Sequence, residues 1–352
     1  MSLRRIDSVD ELHTYLATAL QLEHATIPPY LTALYSMHAG TNLESAEVMR
    51  IVVVEEMLHL TLVANLMNAV GTHPDLTAPG FVPHFPAHLP DGETDFEVSI
   101  RPFGRDAVET LMRIERPGGA SDGVDLVSRP RSARALLPAY AHADDEDMHF
   151  YSIGDFYAEI GRGLRHLQEH EEAGGATLFS GDPAHQVVIG EYFPYAANVG
   201  PVVDLESALF AIDFITEQGE GRGERIYGDF DELSHFYRLE QILRGRHYQH
   251  GDAPRWPSGK TFHVDWSAVH LVAVDARIDD YPPGTPLRAL VEEFVTTYDG
   301  FLTLLTEAYS GTPKLLDRAF ATMFNLRDLF GRIVEQPHPT LAGQNAAPVF
   351  GS

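Results

Sequence analysis

The chain has no cysteine in 352 residues. That absence excludes thiol catalysis, disulfide scaffolds, zinc–thiolate sites and iron–sulfur clusters held by the chain's own thiolates. Any metal must then be bound by carboxylate, imidazole, hydroxyl or water. Positive charge is also scarce: 25 Lys and Arg stand against 51 Asp and Glu, a formal net charge of −26. With no basic excess to neutralise phosphates, nucleic acid is not an expected partner. An anionic membrane surface would repel the protein. Long apolar runs are missing as well. The clearest one, Ile51 to Val54, is far too short to span a bilayer. The N-terminal stretch has two arginines but no apolar core and no small-residue cleavage site, so it does not read as a signal peptide. A cytoplasmic location is the expectation. Apolar residues still make up 44% and aromatics 10%, enough for a large core and too many for intrinsic disorder.

The patterning is mainly helical. Ser8 and Glu11 have capping-box spacing and open a helix over 8–38, with Leu12, Leu16, Leu20, Leu31 and Leu34 at helical intervals. Gly40 ends it, and a second helix is expected over 42–70. The short link makes the two an antiparallel hairpin. Further helices are expected over 106–114, 152–172, 205–218, 231–244, 286–309 and 313–335, with Asp204 and Asp229 as caps for 205–218 and 231–244. Short strands are expected at 96–100, 186–193 and 261–274, and a Gly-, Asp- and Arg-rich surface excursion at 117–149. The reading is one domain over 1–352, with an insert at 71–150 and a C-terminal extension at 250–352. Pro28 and Pro29 stand inside the first helix, where they remove backbone hydrogen bonds. They imply either a kink that shapes packing or a bend that opens space beside Glu23.

A Glu-x-x-His spacing occurs twice, at Glu56/His59 and at Glu232/His235. Residues three apart share a helix face. Each motif follows a helix carrying a candidate glutamate, Glu23 before the first and Glu217 before the second. This set has the composition of a dimetal site in a four-helix bundle, with one Glu from each of two helices and one Glu-x-x-His from each of the others. Four carboxylates offset the charge of two divalent cations, and two imidazoles leave open positions for oxygen or substrate. In an antiparallel hairpin, residues equidistant from the turn are level. Glu23 and Glu56 are centred on 39.5, and Glu217 and Glu232 on 224.5, within a glycine-rich link. Alternatives remain for individual residues. Glu56 and His59 also fit an ordinary ion pair, Glu55 rivals Glu56, Glu220 rivals Glu217, and Glu232 could merely close a capping box with Asp229. Tyr30 and Tyr157 are candidate pocket residues that equally fit core positions.

Leu22-Glu-His-Ala-Thr-Ile-Pro-Pro-Tyr-Leu31, Glu55-Glu-Met-Leu-His59 and Ile215-Thr-Glu-Gln-Gly-Glu-Gly221 resemble the ferritin-like domain of iminophenyl-pyruvate dimer synthases. Ser152-Ile-Gly-Asp-Phe-Tyr157 and the Met323-Phe324 helix are similar to segments of the same family. Those enzymes act in bisindole and indolocarbazole pathways of the violacein and rebeccamycin type. The resemblance implies a ferritin-like four-helix bundle with small β insertions and an additional C-terminal helix pair. It implies oxidative coupling of imino acids, with metal ligands at Glu23, Glu56, His59, Glu217, Glu232 and His235. The expected cofactor is two iron ions, with manganese suited to the same donors. Haem is associated with that family, but no axial His or Met can be assigned here. The expected function is a non-haem di-iron oxidoreductase of secondary metabolism that acts on a small organic substrate, an amino or imino acid, with dioxygen or peroxide. The alternative is a non-catalytic ferritin-like binding or storage protein. The apolar helix pairs leave room for a homodimer interface.

Overall fold

Ser8 opens the first helix as its spacing with Glu11 requires. Its hydroxyl accepts the Glu11 N–H at 3.3 Å, and the Glu11 carboxylate accepts the Ser8 N–H at 3.0 Å. The computed structural model describes residues 6–90, 96–117, 131–132, 149–150, 152–221, 225–228 and 231–351. Helix α1 spans Val9–Ser36 and runs through Pro28 and Pro29, both buried. Helix α2, Leu43–Ala69, folds back along α1. Gly40 turns the chain between them with φ +78°, a conformation that costs glycine nothing and other residues strain.

Helices α3 (Arg105–Ile114), α4 (Ile153–Ala173), α5 (Ile189–Tyr192), α6 (Leu205–Gly219), α7 (His235–Arg244), α8 (Pro286–Tyr309) and α9 (Leu316–Val334) follow. Ser152 caps α4 and Asp204 caps α6, each through a side-chain oxygen that accepts an amide of the first turn. Two-residue strands β1 (Arg131–Ser132) and β2 (His149–Phe150) pair antiparallel.

Helices α1, α2, α4 and α6 pack pairwise around one core. The short α3 and α7 lean on each other and on the bundle, α3 against α1 and α7 against α2 and α6. The α8–α9 hairpin covers the outside, α8 on α2 and α9 on α1. Helix α2 is buried nearly all round, and each fully buried leucine stabilises by about 1.5–3 kcal/mol. It is long and apolar enough to cross a membrane, but 89% of its most apolar window lies inside the protein, where the bundle accounts for that apolarity. Two of its buried polar side chains, Thr61 and Asn65, bond to backbone. Asn65 brackets Val187, donating to its carbonyl and accepting its N–H, both at 2.9 Å.

That clamp explains one departure from the sequence reading. Residues 186–193, expected as a strand, form a turn and the single-turn α5. Asn65 uses up the backbone of Val187, and Gln186 does the same to Val202, so no ladder is left for a neighbouring strand. The expected strands at 96–100 and 261–274 appear only as isolated bridges, such as Ala87 with Val98 and Met37 with Val269. The expected helix over 231–244 begins at His235. A Tyr227–Leu233 bridge, the Gly228 N–H bound to the Glu232 carbonyl at 2.8 Å and Asp231 at φ +62° hold the preceding segment out of helix. Helix α4, not this short helix, therefore supplies the fourth long wall of the bundle. The expected cap Asp229 and most of the excursion at 117–149 lie outside the described residues.

Candidate metal centre

The α1–α2 hairpin brings Glu23 and Glu56 level, as their equal distance from the turn requires. His59 sits one turn beyond Glu56. Its Nδ1 lies 3.4 Å from Glu23 Oε2 and 3.6 Å from Glu56 Oε1. On the other side of Glu56 stands His235, the first residue of α7, with Nδ1 3.0 Å from Glu56 Oε1 and 3.4 Å from Glu115 Oε2. Glu115 follows the last residue of α3. Two buried three-residue groups result, Glu23/Glu56/His59 and Glu56/Glu115/His235, and the possible ligand atoms of each lie within 4.8 Å of one another. Glu56 belongs to both. The two imidazole rings are nearly parallel, with centroids 5.5 Å apart.

Hydroxyl groups fix the carboxylates. Tyr157 of α4 donates to Glu23 Oε1, Tyr30 of α1 donates to Glu115 Oε1 at 2.7 Å, and Thr26 donates to Glu56 Oε2 at 2.8 Å. Each imidazole turns Nε2 away from the cluster's own carboxylates. His59 Nε2 is 3.1 Å from Gln218 Oε1, and His235 Nε2 is 3.0 Å from Glu55 Oε2. A cavity of about 20 Å³ lies between α1, α2, α4 and α6, with Glu23, Glu56, His59, Glu115 and the buried Glu220 on its wall. That is room for a water-sized molecule.

The cluster demands positive charge. Burial raises the Glu23 carboxyl, and repulsion from Glu56 adds to it, outweighing the hydrogen bond with His59. Burial also opposes ionisation of Glu56, but attraction to His235 and His59 outweighs it and holds the group well below the usual carboxylate range. Burial pushes His59 down, yet its bonds to Glu23 and Glu56 raise it to about 10. For His235, burial is outweighed by the charge of Glu115 and contact with Glu55, so it too is held well above its usual value. Burial and the neighbouring carboxylates raise both tyrosines, so they remain phenol donors.

These residues fit divalent metal ions. His235 Nδ1 is fully buried and close to two carboxylates, yet no partner among the described residues meets hydrogen-bond geometry with it. A ring nitrogen aimed between carboxylate oxygens, with its other nitrogen hydrogen-bonded, is how a histidine ligand is oriented. Carboxylate oxygen with imidazole nitrogen suits iron, manganese or zinc.

Of the six ligands expected from sequence, the fold gathers four: Glu23, Glu56, His59 and His235. Glu232 is not among them. Its side chain is 54% exposed and lies 3.5 Å from Arg238, because helix α7 starts three residues too late to carry it inward. Glu217 is buried on another side of α6, in a separate pocket with Glu55 and Glu232. The backbone of Gly228 lies so close that a Cβ there would sit 2.6 Å from its Oε1. Within the rival pairs, Glu56 rather than Glu55 faces the cluster, and Glu220 rather than Glu217 lines its cavity. Tyr30 and Tyr157, the candidate pocket residues, both touch cluster carboxylates. Glu115 was missed. A signal existed: it falls four residues after Leu111 and seven after Val108, on the buried face of an amphipathic helix where a lone carboxylate is costly.

A protein-family model described as Ferritin-like matches residues 16–244. Dichlorochromopyrrolate synthase of Lentzea aerocolonigenes is 27% identical over 327 residues, covering 84% of this chain. The chain spans only 28% of the length of that relative. A ferritin-like protein from Caulobacter vibrioides, known from a crystal structure, superposes with a TM-score of 0.61 at 22% identity, covering 97% of this chain and 98% of its own. That likeness establishes the fold.

Proposed function

Since the chain belongs to the ferritin-like family, we propose that its buried carboxylate–imidazole cluster holds two divalent metal ions and serves an oxidoreductase of secondary metabolism. The observation that carries this reading is the pair of three-residue groups sharing Glu56. One group offers Glu23, Glu56 and His59, and the other Glu56, Glu115 and His235. Glu220, on the wall of the same cavity, is the carboxylate available to complete the set. We assign the ions as iron, with manganese as the second choice on the same donors. Bound there, two ferrous ions would supply two of the electrons that reduce dioxygen to water, and the organic substrate, as it is oxidised, would supply the other two. The substrate class we favour is a small amino or imino acid, as the motif resemblance of Leu22–Leu31 and Ile215–Gly221 implies.

The chain's own residues have separable tasks in this reading. Glu56 bridges the two halves. Tyr157 and Tyr30 orient the terminal carboxylates Glu23 and Glu115 through their hydroxyl hydrogens and keep protons beside the centre. The apolar walls, with Ile153, Leu22 and Ile215 on the cavity, exclude bulk water and strengthen every charge interaction inside. The cavity has room for a water-sized molecule, and in this reading the organic substrate engages from outside it.

Elemental analysis after anaerobic reconstitution with ferrous iron tests the reading. It should find about two irons per chain, with oxygen uptake stimulated by aromatic amino or imino acids. A protein that stays empty sinks the proposal. Continued uptake of many irons per chain would support the storage alternative.

A further inference from the structure

The two halves of the cluster share a plan of inner donors. Each has one histidine presenting Nδ1, one terminal glutamate held by a tyrosine hydroxyl, and a share of Glu56. They differ in what lies behind the imidazole. His59 Nε2 meets the neutral amide oxygen of Gln218 at 3.1 Å. His235 Nε2 meets the carboxylate of Glu55 at 3.0 Å. Glu55 is itself buried. Arg238 lies 3.7 Å from Glu55 Oε1, and its Nε donates to the Leu233 carbonyl at 2.8 Å, which fixes it there. The adjacent pair Glu55-Glu56 thus serves two layers from one turn of α2: Glu56 faces the cluster, and Glu55 backs the histidine of α7.

An imidazole whose outer N–H is held by a carboxylate is a better electron donor at its inner nitrogen than one held by an amide. We propose that the two halves bind metal unequally, that the Glu56/Glu115/His235 half fills first, and that Glu55 is the positioning residue responsible. This rests on the two-metal reading above. The His59 half, backed by Gln218, is the weaker site and the one that exchanges its ion more readily.

Titration of the metal-free protein with Co²⁺, followed by calorimetry and the visible absorption of bound cobalt, tests the assignment. Repulsion between two cations sharing Glu56 splits the isotherm into two steps by itself, so the variants decide. Glu55→Gln should weaken the first step by about 10- to 100-fold and leave the second within about threefold. Gln218→Glu should tighten the second step, a gain that a damaged fold cannot produce. His59→Ala should keep the tight step and His235→Ala should lose it. Thermal melting of the metal-free variants reports their folding. If Glu55→Gln folds and weakens both steps equally or neither, or if Gln218→Glu folds and leaves the second step unchanged, the asymmetry is wrong while the metal centre stands. Wild-type protein that takes up no cobalt or iron overturns both.

Discussion

Glu56→Gln removes the carboxylate common to both halves, Glu115→Gln removes one from the His235 half, and Glu232→Gln removes an exposed carboxylate outside the cluster. A metal that binds only the folded state stabilises by about 2.7 kcal/mol per site at a free concentration one hundred times its Kd. For 352 residues the unfolding entropy is about 0.7 kcal/mol per kelvin near the midpoint. Each occupied site should therefore raise Tm by about 4 °C, and two by about 7 °C. Differential scanning fluorimetry with and without metal, alongside elemental analysis, gives the readout. Glu115→Gln should hold about one ion per chain with half the wild-type shift, Glu56→Gln fewer than one with no shift, and Glu232→Gln two with the full shift. The lost contact of Glu232 with Arg238 should cost under about 1 kcal/mol, as exposed pairs do. If Glu232→Gln loses an ion while Glu115→Gln keeps both, the ligand set placed here is refuted.

Tyr157→Phe and Tyr30→Phe each delete a hydrogen bond to a buried carboxylate; urea denaturation of the metal-free proteins should show losses of about 1.5–3 kcal/mol, with both variants still taking up two ions. Gly181→Ala places a Cβ 1.7 Å from the backbone oxygen of Asn68 at the end of α2, so chemical denaturation should show a loss of about 3 kcal/mol or failure to fold. Glu44 accepts from His247 Nε2 at 2.9 Å and from the His263 N–H at 3.1 Å, which hold its carboxyl below 4.5. Because its folded value is depressed, its contribution is present above pH 4.5 and is lost as pH falls through the folded value. The pair is largely solvated, so Glu44→Gln should cost under about 1 kcal/mol at pH 7, and urea melts should show the difference closing below pH 4.5.

What sequence by itself determined is what local geometry controls. The Ser8–Glu11 box, the Gly40 turn and the apolar spacing define α1 and α2, and an antiparallel hairpin must then set Glu23 level with Glu56 and carry His59 on the same face. The lack of cysteine had already reduced the main metal donors to carboxylate and imidazole. The same symmetry argument failed for Glu217 and Glu232, because it assumed a regular helix from 231. The bridge between Tyr227 and Leu233 and the left-handed Asp231 delay that helix to His235. Tertiary structure alone decided the rest. Glu115 reaches the cluster because α3 packs on α1 and α7, contacts between segments distant in sequence that no local periodicity encodes. Glu55 and Gln218 became distinct supports for two similar histidines only when α6 and α7 docked on α2. A helix's period shows which side chains share a face, and docking decides what that face meets.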